Sequence, residues 1–150
     1  MALLMMRRTA LLVATATALL SIATRASAEP VLIVHPSCPV ARLSADDARK
    51  LLLGEDLSWR NGDATQLVEL RTDDTAVTAG YLAIAHKTAS QIRAEWNRLV
   101  FAGRANPPLR FGTIEEVRAA VARMPGTFAV VDSTSTDTTV KIVFRTSGKG

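Results

Sequence analysis

One cysteine, Cys38, stands in 150 residues, so no disulfide can form within the chain. An exported protein with a single thiol either packs it or exposes a reactive one. Cys38 lies between an apolar run and Pro39 and reads as packed. Histidine is scarce as well. His35-Pro36-Ser37-Cys38 lacks the second pair of ligands that a closed zinc site needs, and His86 stands alone. No metal and no cofactor is expected. Neither a Gly-x-Ser-x-Gly elbow nor a His-Glu-x-x-His pair occurs, which removes two common hydrolase arrangements. Ser37 is too close to His35 in sequence to suggest a triad, and most acids sit where helices start. The chain is not expected to be an enzyme.

A long apolar run is missing too. Arg7 and Arg8 give a positive start, and Thr9 to Ala23 follows without a charge. A membrane span needs about 20 apolar residues. Ala26-Ser27-Ala28 then supplies small residues where a signal peptidase reads. That order is a cleaved secretory signal peptide over residues 1–28. No cysteine follows to make a lipoprotein, and the general export route is expected over the twin-arginine one. The expected mature chain, residues 29–150, is one domain by length and is expected in the periplasm.

Charge of one sign is also lacking once the leader is set aside. Taking Arg7, Arg8 and Arg25 from the 18 Lys and Arg leaves 15 against 14 acids, a net charge of +1. Nothing in that balance points to nucleic acid.

What is present is an alternation of strand and helix signals. Val31 to His35 is a short β-branched run, then Pro36 and Pro39 force a loop. Ser44-Ala45-Asp46-Asp47 caps and opens a helix that Gly54 ends. Trp59 to Asp63 is an Asn-Gly turn, and Gln66 to Arg71 a strand. Thr72-Asp73-Asp74-Thr75 starts the next helix. Thr88 and Gln91 form a capping box for another, with Ile92, Trp96, Leu99 and Val100 on one face. Thr113 and Glu116 form a second box. Thr127 to Asp132 and Val140 to Phe144 are strands, and the tail to Gly150 is expected to fray. Strands separated by helices predict an α/β fold, a mostly parallel sheet flanked by helices. Trp59, Tyr81 and Trp96 are expected in the packing.

Ligands of such sheets sit beyond the carboxyl ends of strands. Two loops qualify: His35 to Leu43, with Ser37, and Arg71 to Thr75. The second joins a cation, the Thr72 and Thr75 hydroxyls, Asp73 and the N–H groups of a helix start. That set suits an oxyanion. The plain alternative is that Thr and Asp are simply capping a helix.

The chain resembles the phosphate-binding proteins of bacterial ABC transporters, and more closely a group of short, single-lobe relatives. The residues that carry this are Val31 to Ser37, Leu43 to Asp46, Leu51 to Gly54 and Trp59 with Asn61-Gly62. Trp96 to Arg104, Pro107-Pro108, Val117, Val121 and Pro125-Gly126 follow in the same order. The resemblance implies a single lobe of the type II periplasmic-binding-protein kind. In full-length members the loop matching Arg71 to Val77 reads Arg-Ser-Asp-x-Ser-Gly-Thr. Its Arg pairs with phosphate, and its Asp accepts a hydrogen bond from monohydrogen phosphate. Arg71 and Asp73 match, Thr72 and Thr75 replace the serines, and Ala76 and Val77 depart from Gly-Thr.

Two readings follow. One is an extracytoplasmic solute-binding module for phosphate or a similar oxyanion, linked to ABC-type transport or sensing. Its partners would be the ion and a membrane transporter. The other is a ligand-free interaction module accessory to a cell-envelope complex.

Overall fold

A computed structural model describes residues 28–147; the leader expectation and the last residues of the tail lie outside them. Five strands form one sheet: β1 (Pro30–Val34), β2 (Gln66–Leu70), β3 (Leu109–Phe111), β4 (Thr127–Asp132) and β5 (Lys141–Arg145). Four helices accompany them: α1 (Ala45–Leu52), α2 (Thr75–Ala85), α3 (Ala89–Phe101) and α4 (Ile114–Arg123). Among the described residues no helix is long and apolar enough to cross a membrane.

The sheet order is β3-β2-β4-β1-β5. β2 pairs in parallel with β3 and with β4, whereas β1 pairs antiparallel with both β4 and β5. Four strands therefore share one direction and β1 runs against them between two of them. The α/β architecture matches the sequence expectation, with the sheet mixed at β1. β3 was not anticipated. Leu109-Arg110-Phe111 is too short to show a period, and it forms because β2 offers an open edge.

The pleat sorts the core into two layers. Phe128 packs against Trp59 and Trp96, and Val130 meets α2 at Gly80, so this face carries α1, α2 and α3. On the other face α4 turns in Val117, Ala120 and Val121. Trp96 is fully buried, and its indole N–H donates to the Leu52 carbonyl at 2.9 Å, tying α3 to the end of α1. Trp59 likewise donates to the Gly126 carbonyl at 3.0 Å. The expected packing roles of Trp59, Tyr81 and Trp96 hold, and Cys38 is buried.

Local signals account for the helix ends. Ser44 accepts from the Asp47 N–H, and Thr88 and Gln91 form a complete capping box. At α4 the box is only half made. Thr113 accepts from the Glu116 N–H, while the Glu116 carboxylate reaches back to Gly112 instead of Thr113. Gly54 has φ +70, and a Cβ there would lie 2.4 Å from Leu99 Cδ1, so both conformation and space require glycine. At Gly80 a Cβ would meet Val130 at 2.5 Å and Pro30 at 2.9 Å. This glycine lets α2 sit directly on β4 and β1, which fixes the height of its first turn.

Candidate functional site

The reversal of β1 decides which loops can act together. Arg71 leaves the carboxyl end of β2, beside the end of β3, where its N–H donates to the Phe111 carbonyl at 2.9 Å. Val34, the end of β1, pairs with Phe128 at the start of β4, and His35 reaches Thr127. The loop after β1 therefore opens at the amino ends of the other strands. From Leu67 to Arg71 the chain spans about 13 Å at about 3.3 Å per residue. Ser37 is thus not brought to the Arg71 loop. Its hydroxyl lies 2.7 Å from His35 Nδ1, and its N–H bonds to the same atom at 3.1 Å. Expecting both loops to flank one site assumed that β1 ran with its neighbours.

Arg71, Thr72, Asp73 and Thr75 lie along the segment that leaves β2 and enters the first residue of α2. All four are exposed. The Arg71 guanidinium makes no ion pair among the described residues. Asp73 is engaged differently: one of its carboxylate oxygens accepts from Arg93 of α3 at 3.1 Å. The helix start is also occupied. Asp74 caps α2, accepting from the Ala76 N–H at 2.9 Å and the Val77 N–H at 3.1 Å. An incoming anion must therefore use Arg71, the two hydroxyls and the first amide of the helix, or displace the Asp74 carboxylate. Asp74 places a negative charge where the helix dipole would otherwise favour an anion.

Below the loop lies a polar cluster that sequence reasoning missed. Glu69 is nearly inaccessible, with a side chain 3% exposed. Its carboxylate accepts from Arg110 Nε at 2.8 Å, across the β2–β3 pair in direct register. Tyr81 from α2 donates to the other oxygen at 3.5 Å. Burial, then the Glu69 charge, pushes the Tyr81 hydroxyl well above the usual phenol range, so it stays protonated as a donor. A small cavity of about 10 Å³ separates this cluster from Thr72 and Asp73, room for about one water. The signal for Glu69 was an acid at an inward strand position beside Leu67 and Val68. Its partner lay in the short strand the pattern could not show.

The larger hollow is elsewhere. About 370 Å³ opens at the amino ends of β2, β3 and β4, lined by Asp63, Gln66, Asn106 and Thr127 with Leu109, Met124 and Pro125. Several of its polar groups are already used. Gln66 donates to the Pro107 carbonyl at 2.9 Å, and Thr127 to the Met124 carbonyl at 2.6 Å. No cation lines it. Size alone favours this hollow, but chemistry favours the smaller place beside Arg71. No group of three or more metal-ligating side chains occurs among the described residues.

No protein-family model matches the chain, and no curated protein matches it in sequence. Solved structures do. An ABC-type phosphate transport receptor from Vibrio cholerae matches 77% of this chain and 45% of its own, at 12% identity and TM-score 0.51. A phosphate ABC transporter substrate-binding protein with bound phosphate, from Clostridium perfringens, matches 77% and 44%, at 14% identity and TM-score 0.59. PstS from Borrelia burgdorferi matches 77% and 46%, at 10% identity and TM-score 0.51. The chain thus spans a little under half the length of each, and at such identities the likeness is one of fold. Its α/β sheet and flanking helices have the fold of phosphate-transport substrate-binding proteins over that part of their length.

Proposed function

We propose that this chain is a solute-binding module working outside the cytoplasm, after removal of residues 1–28, that takes phosphate or a similar oxyanion for ABC-type transport or sensing. It performs no catalysis in this reading. The observation that carries it is Arg71: an exposed guanidinium without an ion-pair partner among the described residues, at the carboxyl end of a sheet strand in the segment that carries Thr72, Thr75 and a helix start. The fold shared with phosphate-transport proteins supports the choice of ligand. Arg71 supplies charge-assisted hydrogen bonds, and Thr72 and Thr75 add neutral ones. The Asp73 carboxylate, bonded to Arg93, can receive a proton-bearing oxygen and repels one without a proton. Ser37 takes no part.

The site is open, so each bond competes with water. Charge-assisted bonds contribute about 1.5–3 kcal/mol each when sheltered and less here. Affinity in the micromolar to millimolar range is expected, falling as salt rises. Calorimetric titration with phosphate, and with sulfate as control, tests this. Heat with phosphate exceeding that with sulfate is the expected result; no heat at high millimolar phosphate would defeat the reading.

A second reading has its own observation. Asp74 already fills the helix start, which suits a lobe that keeps the fold without a ligand and serves as an accessory to an envelope complex. Absence of binding to either anion would favour it.

A further inference from the structure

An outward helix face of a water-soluble fold ordinarily carries charge. α2 carries none: its sequence is Thr-Ala-Val-Thr-Ala-Gly-Tyr-Leu-Ala-Ile-Ala. Val77, Gly80, Tyr81, Ile84 and Ala85 face the core, which leaves Thr75, Ala79, Leu82, Ala83 and His86 in the open on the other side. Leu82 is 47% exposed, one of two large apolar side chains so placed among the described residues. The charges lie just beyond the ends. Asp73 and Asp74 precede the helix, and Lys87 follows it without an ion pair among the described residues.

We infer that this face pairs with a second copy of the chain, α2 against α2 and antiparallel. A two-fold axis demands that the surface complement itself, and this one does. When Ala79 is set against the partner's Leu82, the same register sets Leu82 against the partner's Ala79, large against small. It also sets Thr75 against the partner's His86 and Asp74 against the partner's Lys87. Each acidic end meets a basic end twice over, and the two helix dipoles oppose. Ala79 and Ala83 allow the axes to approach to about 8 Å. A parallel pair would bring the two acidic ends together instead. A stable interface buries about 800 Å² per partner, more than one helix face supplies, so a concentration-dependent dimer follows rather than a permanent one.

The pairing also bears on the candidate anion site, and this part rests on the proposed function. α2 begins at the Arg71–Thr75 loop, so the partner's Lys87 arrives at Asp74 and offsets the negative charge that Asp74 places at the helix start of an otherwise open site.

Sedimentation equilibrium of the processed chain without phosphate tests the pairing independently of any ligand. Wild type should show a monomer–dimer equilibrium. Ala79→Glu, at an exposed position, should raise the dissociation constant at least roughly tenfold by burying two like charges near the axis, with an unchanged circular dichroism spectrum. Lys87→Glu should weaken the dimer and Lys87→Gln should do so less. Mixing an Ala79→Cys chain with a Leu82→Cys chain under oxidised glutathione should give a mixed disulfide dimer faster than Ala79→Cys with Ala119→Cys. A wild type that is monomeric at every concentration, or a dimer indifferent to Ala79→Glu, would overturn the pairing while leaving calorimetric phosphate binding to be judged separately. A dimer with undiminished phosphate affinity in Lys87→Gln would overturn the shared site alone.

Discussion

The two ends of the sheet use their polar groups in opposite ways. At the amino end, two side chains of the larger hollow are already bound to the backbone, Gln66 to Pro107 and Thr127 to Met124, and outside it Trp59 is bound to Gly126. Those bonds close the turns that feed the strands, so they serve the fold. At the carboxyl end, Glu69, Tyr81 and Arg110 are also consumed, but one layer down. Above them Arg71, Thr72 and Thr75 are left exposed to solvent. A hollow is therefore a weak guide to function when donors such as Gln66 and Thr127 are spent on the fold. A small exposed cluster over a braced layer is a better one.

The comparison breaks most visibly at the braced layer. Arg110→Ala would leave the buried Glu69 carboxylate with Tyr81 as its remaining partner. The cost should be about 1–3 kcal/mol in urea unfolding, moderated because Arg110 itself is partly exposed. Gln66→Ala at the amino end loses an exposed amide bond and should cost less, about 1 kcal/mol or below. If the amino-end change proves the costlier, the two ends have been assigned the wrong way round.

The next largest effect separates the two loops. Arg71→Ala should weaken phosphate binding roughly tenfold, about 1.4 kcal/mol, with stability within about 0.5 kcal/mol of wild type. Ser37→Ala should leave affinity unchanged, since its hydroxyl belongs to His35 at the far end. Calorimetry on both variants gives the answer, and equal losses would return Ser37 to the site.

Much of this was legible in the sequence. Thr127–Asp132 is the strand its pattern predicts, Ser44 and Thr88 cap the helices they precede, and Gly54 ends α1. Those features depend on neighbours a few residues away. The direction of β1 does not. Val31 to Val34 is an apolar run buried on both sides, and such a run looks the same whichever way it enters the sheet. That one silent property moved Ser37 from a site residue to the opposite end. Glu69 and Arg110 were hidden for a related reason: they are 41 residues apart and meet only through strand register. Asp74 was read as part of a helix start, but which carboxylate would take the amides required the backbone itself.

Two smaller effects sharpen the picture. Burial pushes the Cys38 thiol up, despite the nearby Lys141, so labelling of native protein by a thiol reagent at neutral pH should be slow. Cys38→Ser should cost little, on the order of 1 kcal/mol, and leave binding alone. Fast labelling would mean that the amino-end loop opens. Last, Glu29 is held below its ordinary value by hydrogen bonds from Ser147 and Arg145, and Glu95 by Arg98. Groups lowered on folding add stability above their unfolded values and lose it as pH falls through the folded ones. Thermal midpoints should therefore be flat near neutrality and decline in acid. Glu29→Gln should blunt that decline slightly, as expected for exposed pairs, whereas an unaltered acid profile would remove Glu29 from the account.

The most direct measurement is a nitrogen–proton correlation spectrum of the labelled protein, recorded as phosphate is added. The account predicts saturable shifts confined to the carboxyl end, at Arg71 to Val77 and at Gly112 and Thr113 beside them, all absent in Arg71→Ala. Shifts centred instead on Ser37, Asp63, Gln66 and Thr127 would place the ligand at the amino end and contradict it.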